Sequence, residues 1–320
     1  MSASYPADAA ARDRWILERR PPRNPLDPRR AYAALVEDEI AASGEVVPVA
    51  AIFLTNRECP WRCLMCDLWK NTLAEPVPPG AIASQIRAAL AELPPARHVK
   101  LYNAGSFFDP GAIPPGDLPQ IAELLRPFEL VIVESHPALV GEACLRLRDL
   151  LDGELEVAMG LETVHPEVLE RLNKRMTVEQ FDAAAALLPG AGIALRAFVL
   201  AGLPFLDEAE GLVWTQRSIA HAFDSGASAV ALIPTRAGNG ALEALSAAGA
   251  FSEPRLSVLE DALDFGLSLR RGRVFADLWD LERFCRCEPC FPQRASRLAE
   301  ANLRQRVLHR VHCPACAGAA

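Results

Sequence analysis

The sequence predicts an α/β protein in which parallel strands alternate with helices. Six apolar, β-rich segments recur along the middle of the chain, and most are almost continuously apolar, as is typical of strands covered on both faces. Between them lie segments with helical spacing of apolar residues. The strand starts are 52, 31, 26, 38 and 36 residues apart, which suits βα units joined by right-handed crossovers. Six such units could form either an open doubly wound sheet or an incomplete barrel.

The predicted elements follow one another in a regular order. The strands are predicted at 46–55, 98–103, 129–135, 155–162, 193–202 and 229–234, and the helices between and after them at 81–93, 118–125, 137–151, 178–188, 208–224 and 256–269. A further helix is predicted near the start of the chain, at 30–42. The chain therefore divides into an N-terminal arm over residues 1–45, an α/β domain over 46–272 and a cysteine-rich module over 273–320.

The composition is that of a globular protein. The 320 residues are 51% hydrophobic and 23% charged, which provides a large core and excludes a wholly disordered chain. No apolar run approaches the roughly 18–20 residues that cross a bilayer. The first 20 residues lack the apolar segment of a secretory signal. The sequence therefore predicts a soluble, cytoplasmic protein with no membrane partner.

The net charge of −8 is unevenly distributed. Residues 1–30 hold seven arginines against four acids, and residues 281–316 hold seven against three. The two ends therefore carry charges of +3 and +4, and the rest of the chain sums to −15. The overall charge does not suggest a nucleic-acid-binding protein, but the basic ends would permit contacts with phosphates.

Eight of the nine cysteines fall in two clusters. The first cluster, after the first predicted strand, consists of Cys59, Cys63 and Cys66. The second, in the tail, consists of Cys285, Cys287, Cys290, Cys313 and Cys316. In a long chain without a signal sequence, such clusters more often bind metal than form disulfides. Cys144 lies in an apolar helical pattern and is predicted to be a core residue.

The first cluster has the spacing Cys-x3-Cys-x2-Cys, in a loop at the carboxyl end of a strand, where α/β folds place their chemistry. Three thiolates can bind three irons of a 4Fe–4S cluster and leave the fourth iron open to a ligand. A structural zinc site usually has four ligands, and no further Cys or His occurs between residues 67 and 97. The sequence therefore favours an iron–sulfur cluster, with a zinc knuckle or reduced core thiols as the alternative.

In this context the three cysteines resemble the motif of the radical S-adenosylmethionine (SAM) superfamily. The resemblance implies a partial (βα)6 TIM-like barrel, here with an N-terminal extension and a small C-terminal cysteine-rich module. It implies an enzyme whose catalytic 4Fe–4S cluster is held by Cys59, Cys63 and Cys66. Such an enzyme reductively cleaves SAM to a 5′-deoxyadenosyl radical, which abstracts hydrogen from a substrate. Its partner would be an external electron donor of the flavodoxin or ferredoxin type.

The resemblance also implies a set of residues that bind SAM. They are Met65, Asn103, Gly105, Ser106, Glu162, Arg196, Gly202 and Pro234. The turn at 103–106 occupies the place that holds the SAM amino group in the family, although the family's common Glu is absent. Glu162 matches a ribose-facing position, and Arg196 resembles an arginine that pairs with the SAM carboxylate in a bidentate manner. Taken alone, either residue would more often be a strand-end ion-pair residue.

Two further strand ends are candidates for the substrate side of the site. Residues 134–136 close the third predicted strand, and residues 234–240 follow the sixth. The second segment has small residues and one arginine, which suits the approach of backbone to a ligand. Either segment could instead be an ordinary loop, and His136 could simply cap the following helix.

The tail cysteines form two Cys-x2-Cys pairs with 22 residues between them. The pairs are Cys287 with Cys290 and Cys313 with Cys316, a spacing typical of a structural zinc ribbon. A second iron–sulfur cluster is the alternative, because the same thiolates bind iron. The stretch between the pairs is predicted to be a basic helix over 292–309.

Within the superfamily the chain is most similar to the elongator/methylthiotransferase-like branch and to the archaeosine-synthesis radical SAM proteins, which act on a modified base in tRNA. The leading hypothesis is therefore a radical SAM enzyme acting on a tRNA base, with tRNA bound through the basic ends. One alternative is a radical SAM enzyme acting on a small metabolite or peptide. Another is a non-enzymatic zinc-binding interaction protein.

Overall fold

A computed structural model describes residues 4–317, which contain one eight-stranded sheet. Its strands are β1 (Ala33–Ile40), β2 (Val46–Leu54), β3 (His98–Asn103), β4 (Leu130–Ser135), β5 (Glu154–Glu162), β6 (Ala194–Ala201), β7 (Ala229–Pro234) and β8 (Arg273–Ala276). Their order in the sheet is their order along the chain. β1 is antiparallel to β2, and every other neighbouring pair is parallel. A separate short ladder joins residues 56–57 to 72–73.

Helices connect the parallel strands. They are α1 (Ala9–Leu17), α2 (Ala81–Glu92), α3 (Leu118–Leu125), α4 (Glu142–Leu150), α5 (Pro166–Arg171), α6 (Val178–Leu187), α7 (Glu208–Asp224), α8 (Ala241–Ala247), α9 (Leu256–Leu269), α10 (Phe291–Arg304) and α11 (Pro314–Ala317). The six strands and six helices predicted for residues 46–272 are confirmed, with shifts at some ends. Within residues 4–317, no helix is both long and apolar enough to cross a membrane.

The sheet curls into a partial barrel. In each strand, successive side chains point alternately to the two faces. Glu39 of β1 and Arg196 of β6 form an ion pair with an O–N distance of 2.5 Å, although four strands lie between β1 and β6. A flat sheet would keep these side chains far apart, because neighbouring strands are about 4.8 Å apart. The incomplete barrel is therefore confirmed, and the open sheet is excluded.

The main core lies between the outer face of the barrel and the helices. Ile52, Leu101, Val133, Val157 and Val199 come from five different strands, and each is fully buried in one continuous apolar cluster with the helices. Burying such a side chain contributes about 1.5–3 kcal/mol relative to leaving it exposed. The sequence showed near-continuous apolar runs because the lumen side of these strands is partly apolar as well.

The helix predicted at 30–42 is wrong, because β1 occupies this segment and pairs along its length with β2. The two strands are joined by a hairpin in which Gly44 has φ 86°, and Ala41 N–H donates to the Glu45 carbonyl at 2.8 Å. Glu37 and Glu39, two residues apart, both bind Lys100 across the sheet, which is the period of a strand. β1 and β8 belong to the common sheet, which thus extends across the boundaries predicted at 45 and 272.

The amino-terminal end of the barrel lumen is closed by five charged side chains, which we call the floor cluster. They are Glu39, Lys100, Glu156, Arg196 and Arg273. Glu156 accepts from Arg196 Nε at 2.5 Å and from an Arg273 nitrogen at 2.9 Å. Burial alone would raise the pKa of Glu39, but Arg196 and Lys100 outweigh it and hold that pKa well below its usual range. Glu39 is therefore charged, and both buried carboxylates are paired with cationic side chains.

Candidate functional site

The loop that carries Cys59, Cys63 and Cys66 lies over the carboxyl edge of the sheet and is fixed from two sides. Leu64 N–H donates to the carbonyl of Leu172, which follows α5, at 2.8 Å. On the other side, the Asn239 amide after β7 donates to the carbonyls of Leu64, at 2.7 Å, and Cys66, at 3.2 Å. Backbone positions that follow the central cysteine, Cys63, are thus set by distant parts of the chain.

The N-terminal arm fixes the start of the same loop. Glu58, which directly precedes Cys59, is almost buried and binds three arginines. Arg20 reaches it at 2.6 Å and Arg62 at 3.1 Å, and Arg23 also pairs with it. Because one carboxylate joins the arm to both ends of the first Cys-x3-Cys segment, the position of this segment depends on the arm.

The three cysteines are half-buried, and their thiols are weakly acidic. Burial raises the pKa of Cys59 and of Cys63, and raises the pKa of Cys66 to about 12. Thiolates at these positions therefore need a nearby positive charge, which bound iron would supply. Within residues 4–317, the potential ligand group whose donor atoms all lie within 4.8 Å of one another is in the tail, not here. The three sulfurs of the loop are therefore not drawn together as they would be around a single ion, and a cube of four irons would hold its thiolates further apart than a single ion does.

The turn after β3 offers polar groups without partners. Asn103 is 1% exposed, and among the described residues neither its side-chain oxygen nor its side-chain nitrogen has a hydrogen-bond partner. Buried amides are usually satisfied, so this one fits a polar ligand such as the amino group of SAM. Ser106 lies beside it, buried, with its hydroxyl 3.1 Å from that of Ser135.

Gly105 lets this turn approach the cysteine loop. A Cβ at this position would lie 2.5 Å from Cys59 Cβ, and its φ is +135°. We expect Gly105→Ala to displace the loop at a cost of about 1–3 kcal/mol, and so to lower the iron bound per chain. Gly116→Ala is the matched control, because nothing lies within 4 Å of a Cβ there. Equal iron contents in the two variants would contradict the expected close contact.

The end of β5 places an ion pair at the site. Glu162 and Lys174 are both buried and paired with each other, and Glu162 has φ 64°, a conformation that non-glycine residues rarely adopt. A Cβ on Gly160 would collide with the Lys174 ammonium. Lys174 also opposes the effect of burial on the pKa of Cys63, so the cation lies close to the thiol. Glu162 thus lies beside Lys174 at the end of β5, and its contact with SAM stays a prediction.

Sequence reasoning missed Lys174, although a signal existed. The chain has only three lysines, Lys70, Lys100 and Lys174, among 33 basic residues. Each of the three is ion-paired in the structure. In a chain that otherwise uses arginine for exposed charge, a lysine is a sign that a compact cation is needed.

Arg196 is not brought to the site. It is the third residue of β6, at the amino-terminal part of the strand, and belongs to the floor cluster. Its guanidinium donates to Glu156 at 2.5 Å and to Glu39 at 2.5 and 3.2 Å. The predicted contact with the SAM carboxylate is therefore corrected. Arg196, Phe198 and Leu200 lie on the same face of β6 at increasing distance from its start. The position of Arg196 near the start of the strand places its guanidinium in the floor cluster and not at the carboxyl edge.

Met65, Gly202 and Pro234 lie near the carboxyl edge and are engaged in packing. Met65 contacts two apolar clusters, one formed with the arm and one with α5 and β6. Gly202 has φ +82°, and a Cβ there would lie 2.6 Å from Pro254. Pro234 is the buried last residue of β7. The SAM contacts of these three residues stay predictions.

His136 caps the short helical turn that follows β4, which agrees with the interpretation of this residue as a helix cap. Its Nδ1 accepts from Ala138 N–H at 3.1 Å, and its Nε2 lies 3.1 Å from the Lys174 carbonyl. The ring stacks on Trp61 of the cysteine loop, with centroids 3.8 Å apart. Burial lowers the pKa of His136 to about 4. A neutral imidazole therefore ties the loop to the end of β4.

The tail brings its two cysteine pairs together. The four sulfurs of Cys287, Cys290, Cys313 and Cys316 all lie within 4.8 Å of one another. Across the pairs, Cys287 and Cys313 are 3.7 Å apart, as are Cys290 and Cys316. A tetrahedral zinc ion with Zn–S bonds of about 2.3 Å requires S–S distances of about 3.8 Å. The group therefore fits one tetrahedral metal ion.

The basic charges of the tail are largely paired within the protein. Arg294 binds Glu260, and Arg297 binds Asp264, both on α9. Arg310 reaches the same acidic face of α9. The predicted basic helix is present as α10, from Phe291 to Arg304, but much of its charge faces acids rather than solvent.

Comparison with curated proteins gives relatives of known and unknown function, while no family model matches the sequence. The chain is 31% identical over 148 residues, 43% of its length, to archaeosine synthase subunit beta of Thermococcus kodakarensis. It is 25% identical over 231 residues, 68% of its length, to an uncharacterized protein of Methanocaldococcus jannaschii. These alignments cover 46% and 63% of the relatives, so the chain spans less than two thirds of each.

Among solved structures, Elp3 of Methanocaldococcus infernus with its N-terminus deleted is similar in fold. The TM-score is 0.53 at 13% sequence identity, over 80% of this chain and 64% of that chain. The chain thus shares its fold with Elp3, as the resemblance drawn from the sequence implied. In sequence, it is similar to archaeosine synthase subunit beta over less than half of its length.

Proposed function

We propose that this chain is a radical SAM enzyme. The observation that carries the proposal is the contact between the three-cysteine loop and the turn after β3, where Gly105 approaches Cys59 and the buried Asn103 side-chain amide has no hydrogen-bond partner among the described residues. Cys59, Cys63 and Cys66 would hold a 4Fe–4S cluster, leaving one iron open to SAM. When bound, the cluster and SAM supply a 5′-deoxyadenosyl radical that abstracts hydrogen from substrate.

The protein's own groups would bind and orient SAM. The Asn103 side-chain oxygen can accept a hydrogen bond from the SAM amino group, with Gly105 and Ser106 completing the turn around it. Only one carboxylate oxygen of Glu162 is engaged by Lys174, so the other can accept from a ribose hydroxyl. Met65, Gly202 and Pro234 would form apolar and backbone walls that exclude water from the reacting atoms.

The test of the proposal is SAM cleavage by the full chain after anaerobic reconstitution. We expect about four irons and four sulfides per chain, as three thiolates and an open iron require, and 5′-deoxyadenosine on addition of SAM and dithionite. An external flavodoxin- or ferredoxin-like protein would replace dithionite in the cell. A chain that holds the cluster but forms no 5′-deoxyadenosine, or that holds zinc without iron, would refute the proposal.

We further propose that the tail binds zinc. The 3.7 Å sulfur separations favour one tetrahedral ion over a second iron–sulfur cluster, which would need more widely spaced thiolates. We expect Cys290→Ser to lose the single zinc ion and to destabilise residues 287–316, since structural zinc contributes about 10–16 kcal/mol to small zinc-binding folds. Cys285→Ser, outside the four-thiol group, should retain it. Unchanged zinc in Cys290→Ser, or iron in its place, would contradict the proposal.

As substrate we propose a modified base in tRNA. The support is the resemblance to archaeosine synthase subunit beta, whose name also suggests that the chain works with a partner subunit. The basic ends support it less than the sequence predicted, because Arg20, Arg294 and Arg297 are engaged by acids of the chain itself. A tRNA-binding chain should lose affinity steeply between 50 and 200 mM salt, by about 10³-fold if six phosphates are contacted. Binding that is absent or indifferent to salt would contradict tRNA as the partner.

We place this activity in the cytoplasm. All nine cysteines lie in the described residues and are free thiols, and seven of them form the two ligand groups. Thiolate ligands of this kind persist in a reducing compartment. The observation that would contradict this is a disulfide within either ligand group of the protein isolated from its own cells.

A further inference from the structure

The barrel lumen above the floor cluster is lined by side chains that are only partly buried. Phe53, Tyr102 and Phe198 project inward from β2, β3 and β6, and all are half-buried although they lie inside the barrel. Their rings form a continuous wall, with centroids 6.0 Å apart from Phe53 to Tyr102 and 6.3 Å from Tyr102 to Phe198. Ile233 of β7 is likewise half-buried. The partial exposure shows that these side chains border an accessible space.

Glu134 of β4 faces the same space and differs from every carboxylate of the floor. Glu39 and Glu156 are each bound by two cationic side chains. Among the residues that the structure describes, Glu134 has no lysine, arginine or histidine within ion-pair distance. In the described part of the chain, the one donor to its carboxylate is Asn103 N–H, at 3.2 Å from Oε2. An ionised carboxylate can accept about four hydrogen bonds, so most of its capacity is unused.

Glu134 lies next to the residues assigned to SAM, since it accepts from Asn103 N–H, but slightly deeper in the barrel. It is the fifth residue of β4 and pairs in register with Ala158. Asn103 and Glu162, in contrast, are the last residues of their strands. Ile132, two residues earlier on the same inward face, belongs to the apolar cluster that Tyr102 and Phe198 contact. Glu134 therefore stands between the aromatic wall and the mouth of the barrel. Burial raises its pKa to about 8, because Asn103 N–H and the Lys174 ammonium, which is not paired with it, offset the effect of burial only in part.

We propose that the lumen binds the part of the substrate that reacts, as an apolar or flat group against Tyr102 and Phe198 that carries a basic nitrogen bound by Glu134. A cationic N–H donor would fill the unused acceptor sites and form a charge-assisted hydrogen bond inside the barrel. The floor cluster, already neutralised by its own pairs, offers no comparable site. The inference rests on the proposed function only in treating the bound molecule as a substrate. Binding at Glu134 itself requires neither the cluster nor SAM.

Two matched probes test this, 4-fluorophenethylamine and 4-fluorophenethyl alcohol. They differ in whether the side chain ends in an ammonium or a hydroxyl group. Binding to the full-length chain is measured by ¹⁹F NMR titration. We expect the amine to bind about tenfold more tightly than the alcohol, as one charge-assisted hydrogen bond allows. In Glu134→Gln the preference should fall to about twofold or less. Phe198→Leu should weaken both probes together.

Glu154→Gln is the control variant, because Glu154 is exposed on the same strand face as Glu156, below the floor cluster. It should keep the amine preference. The proposal is overturned if wild-type protein binds the two probes equally, or if Glu134→Gln retains the preference. If Glu134→Gln fails to fold, Phe198→Leu decides: unchanged binding of both probes would also overturn it. Amine binding without SAM cleavage would refute only the enzyme, and cleavage without amine preference would refute only this site.

Discussion

Cys63→Ala is expected to abolish both iron retention and SAM cleavage while leaving the fold intact. Cys63 is the central thiol of the loop, and its backbone neighbours are held by Leu172 and Asn239 through Leu64. With two thiolates left, a four-iron cube has two unprotected irons and is readily lost. We expect iron to fall from about four to below about one per chain, with no detectable 5′-deoxyadenosine. Iron analysis, the visible spectrum and product chromatography measure these changes.

Cys144→Ala is the matched control for this variant. Cys144 is buried in α4, in the main core, and is remote from both ligand groups. Its loss removes one small apolar group, at a cost of about 1 kcal/mol, and should leave iron and cleavage unchanged. If Cys63→Ala still cleaved SAM, or Cys144→Ala lost its iron, the assignment of the three-cysteine loop would be wrong.

Arg196→Met is expected to destabilise the protein by about 3–5 kcal/mol, because it breaks two buried ion pairs and leaves Glu39 and Glu156 with one cation each. Both carboxylates now receive hydrogen bonds from the guanidinium, and Arg196 itself is only 2% exposed. Chemical denaturation measures the change in the free energy of unfolding. Any such variant that remains folded should bind SAM with unchanged affinity, because Arg196 lies on the floor.

The combined variant Arg196→Met, Glu39→Gln separates charge from packing. It removes one buried carboxylate together with the cation and leaves Lys100 paired with Glu37 and Arg273 paired with Glu156, so we expect it to recover at least half of the lost stability. Weakened SAM binding by a stably folded form of this variant would restore the carboxylate-binding role that the sequence resemblance implied. No loss of stability in Arg196→Met would show that the ion pairs contribute little.

The order of strands and helices could be predicted because each element has a local pattern of apolar residues in the sequence. Near-continuous apolar runs of six to ten residues marked β2 to β7, and 3.6-residue periodicity marked the helices between them. β1 was missed for the same reason. Its partners, Lys100 and Arg196, are 61 and 157 residues away from Glu39, so its inward-facing acids read locally as the polar face of a helix.

The residues of the candidate site also divide into those that a local sequence motif predicts and those whose positions depend on distant parts of the chain. The cysteine spacing and the turn at Asn103 are short motifs, and both were found from sequence. The role of Arg196 was not, because two strand residues of similar type differ only in their depth along the barrel, which no spacing reveals. Lys174 was missed because its approach to Glu162 depends on the absence of a side chain at Gly160 and on the left-handed backbone at Glu162.

The way the three-cysteine loop is fastened has a consequence for biogenesis. Its backbone is held by Asn239, and its first residues by Arg20, so that parts of the chain more than 200 positions apart must meet before the loop has its final shape. During synthesis, the thiols leave the ribosome long before Asn239 does. Cluster insertion should therefore follow release of the completed chain. The fraction of chains that hold iron would then report the fraction of chains that have completed folding.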